Sequence, residues 1–295
     1  MARRPFILLS LALACAIGAL LVWLAAFAVP RGRRLDAAGL DAFTGAAQPP
    51  LHPSIIGVAN LAGLWPLVIA TAGLVAVALL RRRWIMAAAV PAIVLGANLV
   101  TQILKPGLAN PRIVELSGIE GIYPASWPSG HSTVAMSIAL CAVLVVGPRL
   151  RPFAALAGAG YAVAVGYALI GLGWHLPSDV LGGFLVAATF ALLGAAGLSV
   201  LEAREPTPAP RPSRTDSRDR ARPRAQPAAT QPATPLMLGS FVAAATAVLG
   251  GLVLLARHPG ASAHAVEHPS ALAVAAGVAL LALVLTATLT LALRR

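Results

Sequence analysis

The sequence predicts an all-α integral membrane protein of eight spans: a six-helix core, a polar linker and a C-terminal two-helix transmembrane hairpin. Three observations lead there. The 295-residue chain is 58% hydrophobic and only 11% charged, with a mean hydropathy of +0.82, whereas soluble domains are about 25% charged. Too few polar side chains remain to cover a water-exposed globule of this size, which excludes a cytosolic enzyme. Apolar residues also fall into runs near 20 residues, the length that crosses a hydrocarbon layer about 30 Å thick. Finally, the net charge of +12 is almost wholly arginine, clustered between those runs. In a soluble protein such charge would suggest nucleic acid. Here it reads as topology, and no nucleic-acid partner is expected.

The runs are 6–29, 55–80, 85–104, 130–148, 153–173, 179–201, 236–256 and 271–293. The first follows Arg3-Arg4 and ends near Ala26-Phe27-Ala28, which resembles a signal-peptide cleavage site. Its apolar stretch exceeds the roughly 7–15 residues of a cleaved signal, so an uncleaved anchor is expected. The fourth run is the shortest, reaching spanning length only by including Gly130, His131 and Pro148. Segment 202–235 has eight prolines, seven arginines and almost no large apolar side chain. Such a segment cannot bury enough surface to offset its ordering entropy, so a disordered linker is expected. Three parts follow: a core over 1–201, the linker over 202–235 and the hairpin over 236–295. Cys15 and Cys141 lie inside apolar runs and read as small buried hydrophobes.

With the N-terminus cytoplasmic, sixteen of the 22 positive residues fall on the inner side. Positive charge near span ends is retained there, so both termini are expected in the cytoplasm. Segments 105–129 and 174–178 then face outward together. The first begins Lys105-Pro106-Gly107 and runs through Arg112; it ends Pro128-Ser129-Gly130, with His131 next. The second reads Trp174-His175-Leu176-Pro177-Ser178, followed by Asp179. Each group has a purely structural reading. Lys105 can close a span as an interfacial anchor, His131 can be a lone histidine at a helix start, and Ser178 or Asp179 can cap a helix. What points to a site is the combination on one face: two histidines, a carboxylate, an arginine, and Lys105, the one lysine in the chain.

These residues resemble the type 2 phosphatidic acid phosphatase superfamily, whose pattern is KxxxxxxRP, PSGH and SRxxxxxHxxxD at the outer ends of a six-helix core. Lys105 and Arg112 stand at the first spacing, Pro128 to His131 match the second motif, and His175 and Asp179 stand at the third spacing. The likeness covers about residues 55–201. Two positions depart from the pattern. Ile113 replaces the proline of the first motif, and Ala168-Leu169 replaces Ser-Arg in the third. Losing one such donor from an oxyanion site costs about 10²–10³ in rate.

The resemblance implies a membrane phosphatase acting on a lipid-borne phosphate or pyrophosphate at the outer leaflet. His175 would be the nucleophile, supported by Asp179, with His131 as acid and then base. Lys105, Arg112, Ser129 and Gly130 would bind the phosphate. No metal or other cofactor is expected. Candidate substrates are polyprenyl phosphate or pyrophosphate, phosphatidic acid and phosphatidylglycerol phosphate, with membrane lipids as the surroundings. Alanine- and arginine-rich usage of this kind is common in high-GC bacteria, so the expected location is a bacterial cytoplasmic membrane. The missing arginine leaves two alternatives: a weakened or inactive lipid-binding relative, or a phosphotransferase on the same scaffold. A decoy also appears, His264-Ala265-Val266-Glu267-His268. It fits a zinc-peptidase pattern, but Pro269 follows at once and no acid lies downstream, so an outer loop is expected.

Overall fold

Every regular element in the computed structural model is helical among the described residues, which are 3–46, 52–108, 126–204 and 269–294. The elements are α1 (Arg3–Ala28), α2 (Pro30–Ala46), α3 (His52–Asn60), α4 (Leu64–Leu80), α5 (Trp84–Gly107), α6 (Gly130–Val145), α7 (Arg151–Gly171), α8 (Pro177–Arg204) and α9 (Pro269–Ala292). Among the described residues, helices α1, α5, α7, α8 and α9 are each long and apolar enough to cross a membrane, and α3 and α4 pass the same test only when the bent pair is taken together. The protein is an all-helical transmembrane bundle. The expected run 236–256, nearly all of the linker and the 264–268 motif lie outside the described residues.

At the centre stands α6, which touches α4, α5, α7, α8 and α9. It is also the shortest of the core helices after α3. Its 16 residues rise about 24 Å, less than the hydrocarbon thickness. The sequence reading carried this run to Pro148, but the helix ends at Val145 and Gly147-Pro148 belong to the following turn. Twelve of its residues are buried. A helix enclosed by others need not match the bilayer, because protein rather than lipid surrounds its ends.

One further element differs from the sequence reading, and one is new to it. The run 55–80 is two helices, α3 and α4, bent by 45° at their junction. Pro66 explains the break: it has no N–H to give the carbonyl of Ala62, and its ring would clash there in a continuous helix. In the first turn of α4 that missing donor costs nothing. The segment after α1, which lies between the first two apolar runs, forms the helix α2. Its apolar side packs on α7, α8 and α9, with Leu40 and Ala42 buried and the Phe43 ring tilted 56° against Tyr167 at 5.5 Å between centroids.

The bundle has two chemically distinct ends. At one, Arg83 donates to the carbonyl of Leu144 at 3.2 Å and pairs with Glu202 at 3.4 Å. Arg151 and Arg4 both donate to the carbonyl of Leu293, at 3.1 and 3.4 Å. Guanidinium groups there satisfy the open carbonyls and negative dipole ends of α6 and α9. Helix α9 runs between the ends, held at the other by Tyr167 Oη donating to the carbonyl of Ala275 at 2.6 Å. That other end carries both histidines.

Candidate functional site

Two helix starts meet at the histidine end. Ser129 is the N-cap of α6, with φ −67° and ψ 122°, and its Oγ accepts from the backbone N–H of Ser132 at 3.3 Å. Its own N–H donates to the carbonyl of Asp179 at 3.0 Å, which ties the start of α6 to the first turn of α8. Thr133 extends the junction toward α5, with its Oγ1 3.2 Å from Thr101 Oγ1. The peptide bond between Trp127 and Pro128 is cis, and the Trp127 indole donates to the carbonyl of Ser178 at 3.2 Å.

This junction requires glycine at two positions of α8. A Cβ on Gly182 would stand 2.6 Å from the Trp127 indole nitrogen, and one on Gly183 would stand 2.7 Å from the Ser129 carbonyl oxygen. Nothing larger than hydrogen fits. The glycine pair is therefore what lets α8 approach the Pro128–His131 turn closely enough for the Ser129–Asp179 bond.

His175 sits immediately before α8. Its Nδ1 lies 3.2 Å from Asp179 Oδ2, and the same oxygen accepts from Leu176 N–H at 3.0 Å. The Asp179 side chain is fully buried, while that of His175 keeps 12% exposure. A buried carboxylate at Nδ1 holds the ring proton there and leaves a lone pair on Nε2. The backbone N–H groups of Trp174 and His175 both donate to the carbonyl of Leu169, fixing the turn that presents the ring.

Lys105 closes α5 with its Nζ 3.9 Å from where a Cβ on Gly130 would lie. The histidines and the lysine act on one another electrostatically. His175 and Lys105 both bear on the His131 ring, and Asp179 attracts Lys105. Trp174 stands beside His131, 6.2 Å between ring centroids. Of the seven residues singled out from sequence, six therefore gather where α5, α6 and α8 meet: Lys105, Ser129, Gly130, His131, His175 and Asp179. Arg112 lies outside the described residues. The arrangement offers a free imidazole nitrogen, a second imidazole, an ammonium group and the N-terminus of α6, where open N–H groups favour an anion.

Leu169 stands where the third motif would have its arginine. Its side chain is fully buried and belongs to the hydrophobic core cluster. Sequence reasoning missed one polar residue altogether. Asp36 of α2 accepts from both the N–H and the hydroxyl of Ser178, at 2.8 and 2.6 Å. It lies 142 residues away in a segment between apolar runs, and no motif marks it. The signal available was an acid between two apolar runs of a chain with only ten acidic residues.

Comparison with known proteins agrees with the architecture. Residues 84–199, from the start of α5 almost to the end of α8, match the PAP2 superfamily. A similar solved structure is the crystal structure of the first transmembrane PAP2-type phosphatidylglycerolphosphate phosphatase from Bacillus subtilis. The TM-score is 0.53 at 23% sequence identity, over 66% of this chain and 98% of that one. At that identity the likeness is one of fold. No curated protein matches. The matched segment contains Lys105, the Pro128–His131 turn, His175 and Asp179, so the resemblance read from the motifs coincides with an independent match to the PAP2 superfamily.

Proposed function

We propose that this protein is a membrane phosphatase that hydrolyses a lipid-borne phosphate at the outer leaflet through a phosphohistidine intermediate. The observation that carries the reading is the His175–Asp179 pair set beside His131, Lys105 and the N-terminus of α6. In the first step His175 Nε2 attacks phosphorus, and the bond from phosphorus to the leaving oxygen breaks. His131, protonated, gives its proton to that oxygen. In the second step neutral His131 takes a proton from water, the resulting oxygen attacks the phosphohistidine, and His175 is released with inorganic phosphate. Lys105, Arg112, the Ser129 hydroxyl and the Gly130 N–H hold the non-bridging oxygens as their charge redistributes. Asp179 keeps the nucleophile's proton on Nδ1 and stabilises imidazolium character. Every step uses side chains of this chain.

Charge supports the outer-leaflet assignment. Arg4, Arg83 and Arg151 lie at the end of the bundle opposite His175, and such clusters stay cytoplasmic. A pocket at span ends receives a headgroup while the tails remain in lipid. The activity is tested by phosphate release from a panel of phosphatidylglycerol phosphate, phosphatidic acid and polyprenyl phosphate and pyrophosphate. The fold neighbour's activity puts phosphatidylglycerol phosphate first in that panel. Purified protein is expected to cleave at least one, and His131→Ala to lower the rate by about 10²–10⁴. Equal rates in the two proteins on every substrate would overturn the reading.

The buried Leu169 carries its own prediction. Placing a guanidinium in that apolar position costs on the order of several kcal/mol. Leu169→Arg is expected to unfold at a lower temperature than the parent and to release phosphate no faster. A faster enzyme of unchanged stability would mean that the position still addresses the phosphate.

A further inference from the structure

We infer that Asp36 is a positioning residue for the His175–Asp179 pair, acting through Ser178; this rests on the phosphatase reading above. Helix α8 begins at Pro177, so its first N–H groups have no partner within the helix. The Ser178 N–H finds one in Asp36 Oδ1 at 2.8 Å, and the Ser178 hydroxyl donates to Asp36 Oδ2 at 2.6 Å. A carboxylate from a distant helix thus does the work usually done by a local N-cap, with favourable charge at the positive end of the helix dipole. The Ser178 carbonyl is held as well, by the Trp127 indole. Ser178 is nearly buried, at 5% exposure, and is clamped from three directions.

The next residue is Asp179. Its carboxylate direction depends on the first turn of α8, and that turn depends on Ser178. The chain of contacts is short: Asp36 to Ser178, Ser178 to Asp179 by one peptide bond, and Asp179 Oδ2 to His175 Nδ1. Asp36 is itself held firmly. One turn along α2, a Cβ on Gly39 would lie 3.2 Å from Pro177 and 2.6 Å from Val274, so α2 seats directly on α8 and α9. Ser270 of α9 adds a hydrogen bond to the carbonyl of Ala38 at 3.3 Å. Helix α2 is therefore a strap across the site end, and Asp36 is the point at which it grips.

The experiment measures kcat and KM per folded protein for Asp36→Ala, Asp36→Asn, Ser178→Ala and the double variant Asp36→Ala/Ser178→Ala. A displaced catalytic group costs up to about 100-fold in rate. Asp36→Ala is expected to lower kcat by about 10- to 100-fold with KM changed less than about threefold. Asparagine can accept from the Ser178 N–H and donate to its hydroxyl, so Asp36→Asn is expected to rescue most of the loss. The double variant is expected to be no slower than Asp36→Ala, because both changes break one link. Asp41→Ala, an exposed position on the same helix, serves as a control with kcat unchanged. A merely structural role would lower the folded yield and leave kcat per folded molecule intact. That result, or fully additive losses, would overturn the proposal.

A second readout needs no turnover. The His175 Nδ1 proton resonance is expected to shift in Asp36→Ala and to return toward its parent position in Asp36→Asn. If that pattern appears in a protein that cleaves nothing in the substrate panel, the positioning role stands and the phosphatase reading falls. If the resonance is the same in all three proteins while the parent is active, the positioning role falls and the phosphatase reading stands.

Discussion

His175→Ala is expected to reduce phosphate release by about 10⁶-fold, the loss seen when the covalent nucleophile is removed from an acyl-transfer enzyme. The size of the effect follows from the geometry. Asp179 occupies Nδ1 at 3.2 Å, so in the proposed mechanism the lone pair on Nε2 is the group left to attack phosphorus. Alanine removes that atom and leaves no neighbour in its place. His131 does not substitute, because attack and protonation of the leaving group must come from opposite sides of phosphorus in an in-line displacement. Rapid quenching with radiolabelled substrate is expected to trap label on the parent protein and none on His175→Ala. In His131→Ala the second step lacks its base, so any label that forms is expected to persist longer. Label of equal amount on His175→Ala would place the nucleophile elsewhere.

The second large effect is expected from Asp179→Asn. The side chains have nearly the same shape, so the change isolates charge and proton position. Asp179 Oδ2 accepts from both His175 Nδ1 and Leu176 N–H, and the side chain is fully buried. An asparagine that keeps its oxygen toward these donors has lost the anion that stabilises imidazolium. One that turns its NH₂ toward the ring forces the proton onto Nε2, and the lone pair needed for attack disappears. The comparable change in a serine-protease triad lowers kcat by about 10⁴. A loss of that order is expected here, with KM changed little and the protein still folded. A loss under tenfold would mean that the pair does not set the tautomer.

These effects sort the chain by distance in sequence. The His175–Asp179 pair was legible because its four-residue spacing is local, whereas Ser129, read as a phosphate ligand, proves to be the N-cap of α6. The role of the Pro128–His131 turn as a partner of α8 was only partly legible. Its motif named the residues, while the Ser129–Asp179 backbone bond depends on the close approach that Gly182 and Gly183 permit. Leu169 shows the complementary case. Sequence comparison recorded an absent arginine, and the fold shows a side chain absorbed into the apolar core.

The membrane class comes from the sequence by itself, and so do the charge clusters and motifs on which the proposed orientation and chemistry rest. Hydrophobic run length, charge clustering and short motifs are properties of neighbouring residues, and lipid rewards them whatever the tertiary arrangement. Other features wait on packing. The shortness of α6 is tolerated because other helices enclose it, and the bend between α3 and α4 is one proline's steric effect expressed inside a bundle. Helix α2 is the clearest case. Nothing in its polar composition marks it as a helix, since an isolated helix of that length is marginal in water. Contact with α7, α8 and α9 makes it a strap. Only there does Asp36 meet Ser178, 142 residues distant, because a hydrogen bond between such remote groups exists only after the helices that carry them have docked.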